Sequence, residues 1–153
     1  MRAGKPVAGD TGKNLGSALI HLNSDQPALF ASLHRYDYRI TNAISTPMAI
    51  SLGHRASEAS DAEINAPGNV QRVLREVGGC CLVVLGGRKA RLLAQAIQGS
   101  GKTVVGVPHV GNQGLNGTFE VPDRLRLTPS LAREHRVKRW ADAVLRAIAD
   151  EDA

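Results

Sequence analysis

Two short, unbroken apolar runs constrain the fold of this chain more than any other feature. They are CCLVVLGG (residues 80–87) and TVVGVPHV (residues 103–110), and each has the length of a β-strand. Continuous apolar runs of this length are typical of strands buried on both faces of a parallel sheet. The segment between them, RKARLLAQAIQGSG, has helical periodicity. The three segments therefore predict a strand–helix–strand unit with two parallel strands.

Helical patterns begin and end the chain. Leu15, Ala18, Leu19 and Leu22 recur at helical spacing, and the sequence from Ser130 onward predicts a long amphipathic helix with the only tryptophan. Near the start, either Asp10 or Thr11 is the expected helix cap. With 153 residues there is room for one domain with a real core.

The sequence patterns between residues 26 and 79 predict secondary structure less clearly. QPALFASLHRY (residues 26–36) predicts a short helix, and DYRITNAIS (residues 37–45) a strand. A loop is expected from Ser45 to Gly68, and then a helix over residues 69–79 with Asn69 as its N-cap. The alternation of strands and helices predicts a parallel sheet covered by helices.

The charge balance favours an anionic partner. The formal net charge is +5 and the isoelectric point is about 9.7, which fits nucleic acid although a basic composition is a weak signal. Several cations in the last third are interleaved with few acids, which predicts either a solvated helix face or, as the alternative, a DNA-facing surface. They are Arg124, Arg126, Arg133, Arg136, Lys138 and Arg139.

The two cysteines and the hydropathy of the sequence indicate where in the cell the protein is expected. Cys80 and Cys81 would point to opposite faces of a strand, so we interpret them as small core residues in a reducing compartment. No stretch approaches the ~20 apolar residues of a membrane span. We therefore expect a cytoplasmic protein with no membrane association. The histidines and cysteines lack metal-ligand spacing, so no metal is expected.

Polar residues follow two of the predicted strands. In parallel sheets, ligands bind at the carboxyl ends of the strands, where Thr41-Asn42 and Pro108-His109 stand in this sequence. GSGKT resembles a phosphate loop, but it follows a helix and opens a strand, which is the reverse of that motif's context. Gly86-Gly87 does follow a strand and open a helix, so it predicts either an anion-binding turn or simply a tight turn.

Four segments in order resemble the uracil-DNA glycosylase superfamily. They are GKPVAGDTGKNLG, YRITNAIST, CLVVLGGRKARLL and VPHVGNQGLNG. The resemblance implies a three-layer α/β/α sandwich with a central, mostly parallel sheet, formed by a single domain over residues 1–153. It further implies hydrolysis of the N-glycosidic bond of uracil in DNA, as in base excision repair, by a monomer that uses no cofactor.

The resemblance assigns roles to individual residues. Asn42 would read the amide-like edge of a flipped uracil, and His109 would stabilise the negative charge on the departing base. Val7 stands where many relatives have a stacking Phe. The loop after the histidine would contact DNA, with Leu115 as a candidate wedge or, more simply, a packing residue. The DNA-contacting residues implied in this loop are Gly111, Asn112, Gly114, Leu115 and Asn116.

The chain also departs from the family's pattern. The family's first motif, which positions water, and its first strand would precede Gly4, so we expect an N-terminally truncated relative; Asp10 is either a substitute carboxylate or a helix cap. Val110-Gly111 replaces the family's usual Pro-Ser. The cysteines of the iron–sulfur branches are missing, so no cluster is expected. Three functions stay open: a glycosylase, a degenerate relative that binds nucleic acid or a protein without cleavage, and a nucleotide-binding α/β protein.

Overall fold

A pair of parallel strands forms the centre of the molecule. The computed structural model describes residues 7, 9–46 and 58–151. Strand β1 (Leu82–Gly86) pairs with β2 (Thr103–Val107), and Val83 lies opposite Val104. The strand–helix–strand prediction is therefore confirmed, although the connection contains two short helices rather than one. The helices are α1 (Gly9–Asp25), α2 (Asp61–Asn65), α3 (Pro67–Glu76), α4 (Arg88–Arg91), α5 (Ala94–Gln98), α6 (Asn112–Thr118), α7 (Asp123–Arg126) and α8 (Pro129–Glu151).

The two faces of this strand pair belong to two separate hydrophobic clusters. Val83, Leu85 and Val104 pack with residues of α2, α3 and α5. Val105 and Val107 point the other way and pack with α1, α6 and α8. This period-2 division explains the unbroken apolar runs, since both faces of each strand are covered.

The predicted three-layer α/β/α sandwich with a central sheet is wrong. The described chain is mostly helical, with 58% helix and 8% strand, and its sheet has two strands. The segment 37–45, predicted as a strand, forms none. Its backbone is held by side chains instead: Arg72 Nη2 donates to the Asn42 carbonyl at 3.0 Å, and Asn69 Nδ2 donates to the Ala43 carbonyl at 2.9 Å. A strand-like pattern gives a strand only where a neighbouring strand can pair with it.

The helix predicted over residues 26–36 is also wrong, apart from a 3-10 turn at Arg35–Asp37. Local side chains replace the helical hydrogen bonds. Asn23 Nδ2 donates to the Phe30 carbonyl at 2.7 Å, while the Tyr38 hydroxyl donates to the Ser32 carbonyl at 2.7 Å and accepts from its N–H at 3.0 Å. Such bonds compete directly with helix formation.

Several smaller predictions need correction. Asn69 is not an N-cap, because α3 begins at Pro67 after the cap residue Ala66. Cys80 is half-buried, but Cys81 is exposed and is no core residue. Residues 4–6 of the first resembling segment and residues 47–57 of the predicted loop lie outside the described residues. The end of that loop forms α2, which the sequence analysis missed.

The amphipathic helices α1 and α8 are confirmed. Ala18, Leu19 and Leu22 are buried on α1, and α8 contributes Val137, Trp140, Ala141, Val144 and Ile148 to the same cluster. Trp140 does more than fill space, since its indole Nε1 donates to the Pro108 carbonyl at 2.7 Å. This bond fixes the chain directly after β2, where His109 follows.

Replacing Trp140 by Phe tests this anchor. Trp140→Phe leaves the Pro108 carbonyl without its donor, so we expect the free energy of unfolding to fall by about 1–3 kcal/mol. Urea unfolding followed by far-UV circular dichroism measures the loss without the indole signal. Leu127→Ala is the control, because Leu127 is 93% exposed and its loss should change stability by no more than about 0.5 kcal/mol. Equal stabilities for the two variants would contradict the anchor.

Candidate functional site

His109 lies at the carboxyl end of β2 with its side chain exposed. The Gly111 backbone N–H donates to its Nδ1 at 3.1 Å. A neutral imidazole carries one proton, so a ring that accepts at Nδ1 carries that proton on Nε2. The local backbone therefore selects one tautomer and leaves an Nε2–H donor for a ligand.

Three glycines lie so close to His109 that a Cβ atom on any of them would crowd it. A Cβ atom on Gly114 would lie 2.2 Å from the His109 carbonyl oxygen. One on Gly111 would lie 2.8 Å from Nδ1 and 3.1 Å from the Thr11 hydroxyl. Gly87, which has a φ of +94°, would place a Cβ 3.2 Å from that of His109. Two glycines after the strand, Gly111 and Gly114, are thus explained by close packing against His109.

A buried asparagine holds the segment after β2 to the helices. We call this segment, residues 108–112, the histidine loop. Asn14 on α1 has an exposure of 0%. Its Nδ2 donates to the Val110 carbonyl at 2.9 Å and to Asn112 Oδ1 at 3.0 Å, while its Oδ1 accepts from Arg133 Nε at 2.7 Å. We call these four residues the Asn14 knot. It joins α1, the loop and α8 through one fully bonded amide.

Asn14 was not among the residues predicted from the sequence. Residues 14, 18 and 22 are, however, spaced by four and share one helix face. Ala18 and Leu22 are both buried, so an asparagine on their face was a signal of a buried, hydrogen-bonded amide.

An acid lies beside this loop. Asp10, in the first turn of α1, accepts from Asn112 Nδ2 at 3.4 Å and pairs with Lys13 Nζ at 3.1 Å. Its carboxylate is favoured at a helix N-terminus because it complements the helix dipole. Asp10, Asn112 and His109 therefore belong to one polar rim at the end of β2.

Val7 lies two residues before the start of α1. It has a φ of +49°, which is unusual for a β-branched residue. A Cβ on Gly12 would lie 2.0 Å from the Val7 carbonyl oxygen, so this carbonyl packs against the start of α1. No contact described for Val7 involves Asn42 or His109.

Asn42 lies in a different environment, where its segment is hydrogen-bonded to side chains of α3. Its carbonyl accepts from Arg72, and the neighbouring Thr41 donates to the Glu76 carboxylate. The hydrogen bond from Thr41 is the main cause that holds the pKa of the Glu76 carboxyl below its usual value. Arg72, whose Nη1 donates to Glu76 Oε2 at 2.6 Å, lowers this pKa further. No hydrogen bond among the described residues joins Asn42 to His109, so the predicted pairing of these two residues at one site stays a prediction.

The segment expected to be a DNA-contacting loop forms helix α6 from Asn112 onward, so the loop prediction is wrong there. The residues named in it divide into two groups. Leu115 is 1% exposed and belongs to the core, so its side chain packs inside and does not protrude as a wedge. Gly111 is buried and Gly114 is half-buried, and both serve the packing around His109. Asn112 and Asn116 are exposed and line a surface cleft.

That cleft has a volume of about 450 Å³, and its lining is basic. It is lined by Asn112, Leu115, Asn116, Arg126, Pro129, Ala132, Arg133 and Arg136. We call it the arginine cleft. A second cleft of about 570 Å³ shares Arg126 and extends to His135 and Arg139, but it also contains Glu120 and Asp123.

At the Gly86-Gly87 turn, the N–H of Gly87 is already bonded within the protein. The Gly87 N–H donates to the Val107 carbonyl at 2.8 Å, which ties the turn to β2. The helix that follows, α4, has four residues. The turn is therefore explained by strand-to-helix packing against His109.

Comparison with known proteins gave no match: no family model fits the chain, and no curated protein and no solved structure is significantly similar to it. The resemblance stated above accordingly stays a prediction. Within the part of the chain that the structure describes, no helix has both the length and the apolar character needed to cross a bilayer. No group of three or more His, Cys, Asp or Glu within the described residues could hold a metal ion.

Two glycines of α6 provide a matched test of the packing around His109. Gly114→Ala forces a Cβ against the His109 carbonyl, and we expect a loss of about 1–3 kcal/mol in the free energy of unfolding. A Cβ on Gly117, in contrast, meets no atom within 4 Å. Gly117→Ala should leave stability unchanged or raise it by up to about 1 kcal/mol. Chemical denaturation measures both, and a harmless Gly114→Ala would contradict the packing.

Proposed function

We propose that this protein is a uracil-DNA glycosylase-like hydrolase that cleaves the N-glycosidic bond of uracil in DNA, with His109 as the donor to the departing base. The observation that carries the proposal is the bond from the Gly111 N–H to His109 Nδ1. It leaves the Nε2–H of an exposed imidazole as a fixed donor at the carboxyl end of a parallel strand. Ligands bind at this end of parallel strands in many α/β proteins.

The chemistry needs such a donor. When the bond between the base and the sugar breaks, its electron pair leaves with uracil, and negative charge collects on the carbonyl oxygens of the base. A neutral imidazole can donate to one of these oxygens through Nε2–H, and a preorganised donor of this kind accelerates a reaction by roughly 10²–10³-fold. Water then adds its oxygen to the sugar carbon and releases its proton to solvent or to a nearby base.

Asp10 is the carboxylate that we assign beside the sugar. It is joined to the histidine loop through Asn112, and a negative charge there would stabilise the cationic sugar or orient the attacking water. The target base would leave the stack before cleavage, because its reacting bond is otherwise inaccessible. The proposal does not use Asn42, whose carbonyl is bonded by Arg72 of α3, or Leu115, which lies in the core. We place the activity in the cytoplasm, where the free Cys80 and Cys81 would stay reduced.

A relative that binds nucleic acid without cleaving it is the second candidate. The absence of a hydrogen bond between Asn42 and His109 among the described residues favours it, since a glycosylase needs a group that reads the base. The arginine cleft would remain useful to such a protein. Retarded mobility of DNA without release of uracil would support this candidate.

Cleavage of uracil-containing single-stranded DNA, followed by heating in alkali, tests the enzymatic proposal. We expect strand scission at uracil with the wild-type chain and a rate roughly 10²–10³-fold lower for His109→Ala. His34→Gln is the matched control, because the His34 side chain is exposed and pairs locally with Asp37. Absence of scission with the wild-type chain would overturn the enzymatic function. Equal rates for wild type and His109→Ala would overturn the role of His109.

A further inference from the structure

We propose that the arginine cleft binds the phosphate backbone of single-stranded nucleic acid, with Arg126, Arg133 and Arg136 as the phosphate contacts. The inference extends the proposed function, because it assumes a nucleic-acid ligand, but it does not require cleavage. It concerns the surface formed by α6, α7 and the first half of α8, beside the polar rim that contains His109.

The three arginines are oriented by bonds to the protein itself. Each donates through Nε to an oxygen: Arg126 to the Val121 carbonyl at 3.0 Å, Arg133 to Asn14 Oδ1 at 2.7 Å, and Arg136 to the Phe119 carbonyl at 3.2 Å. A guanidinium held by Nε presents its two terminal nitrogens in a fixed direction. That geometry suits bidentate recognition of phosphate.

The terminal nitrogens are largely unused. Those of Arg133 and Arg136 have no hydrogen-bond partner among the described residues, and Arg126 pairs through Nη1 with the exposed carboxylate of Asp123 at 3.2 Å. None of the residues that line the arginine cleft is acidic. Three guanidinium groups around one cleft without an acid in its lining repel each other, and a bound anion would relieve this repulsion.

The arrangement fits a chain of phosphates better than one small anion. Arg133 and Arg136 lie one turn apart on α8, and Arg139, at the next equivalent position, lines the second cleft. The exposed Asn112 and Asn116 add amide groups that can donate to phosphate or to bases. The cleft also adjoins the histidine loop through Asn112, so a bound strand would pass close to His109.

Binding of a fluorescent, uracil-free single-stranded oligonucleotide, followed by anisotropy over a range of salt concentrations, tests the assignment. We expect Arg126→Gln and Arg136→Gln each to weaken binding by roughly three- to tenfold and to reduce the slope of log K against log salt by about 0.7. Arg146→Gln is the matched control, since Arg146 lies on α8 about 15 Å beyond Arg136 and outside both clefts. Circular dichroism establishes that each variant is folded.

Equal affinities and salt slopes for Arg136→Gln and Arg146→Gln would overturn the proposal. Binding of poly-glutamate as tightly as the oligonucleotide would also overturn it, since the cleft would then recognise negative charge rather than phosphate. Because the probe contains no uracil, a failure of cleavage leaves this result unaffected. Loss of binding in the arginine variants together with unaltered binding by His109→Ala would support the cleft independently of the glycosylase chemistry.

Discussion

Asn14 is a fully buried side chain, and an amide in that position destabilises a fold unless its donors and its acceptor are all bonded. In this protein the partners come from two distant parts of the chain, namely the Val110 carbonyl and Asn112 directly after β2 and Arg133 on α8. The bonds can form together only when α1, the loop and α8 are correctly placed. The Asn14 knot therefore specifies how the helices on one face of the strand pair meet the histidine loop.

The candidate site follows from that constraint. Trp140 fixes the Pro108 carbonyl, the Asn14 knot fixes residues 110 and 112, and His109 lies between these two anchors. The glycines around the imidazole allow the backbone to approach it closely, so that the Gly111 N–H can select the tautomer. Arg133 takes part in the knot and also lines the arginine cleft. The buried amide thereby links the orientation of the imidazole to the proposed phosphate contacts.

The central part of the fold could be predicted from the sequence, because unbroken apolar runs such as Leu82–Gly86 have few alternatives to a strand buried on both faces. The segment 37–45 could not be, since a strand pattern does not reveal whether a pairing partner exists; here Arg72 and Asn69 bind its carbonyls instead. His109 was found because it follows a strand. Helical spacing places Asn14 on the buried face of α1, but its bonding partners lie about 100 residues away in the chain, and local periodicity does not reveal them.

The central claim is that the Asn14 amide holds the histidine loop in place, and hydrogen–deuterium exchange of Asn14→Ala tests it most directly. We predict that amides of residues 109–118 exchange roughly tenfold faster or more, as expected for a loss of at least about 1.4 kcal/mol of local stability, while amides of β1 and α3 keep their protection. Asn116→Ala, at an exposed position on α6, should leave the pattern unchanged. Unaltered exchange of residues 109–118 in folded Asn14→Ala would contradict the claim.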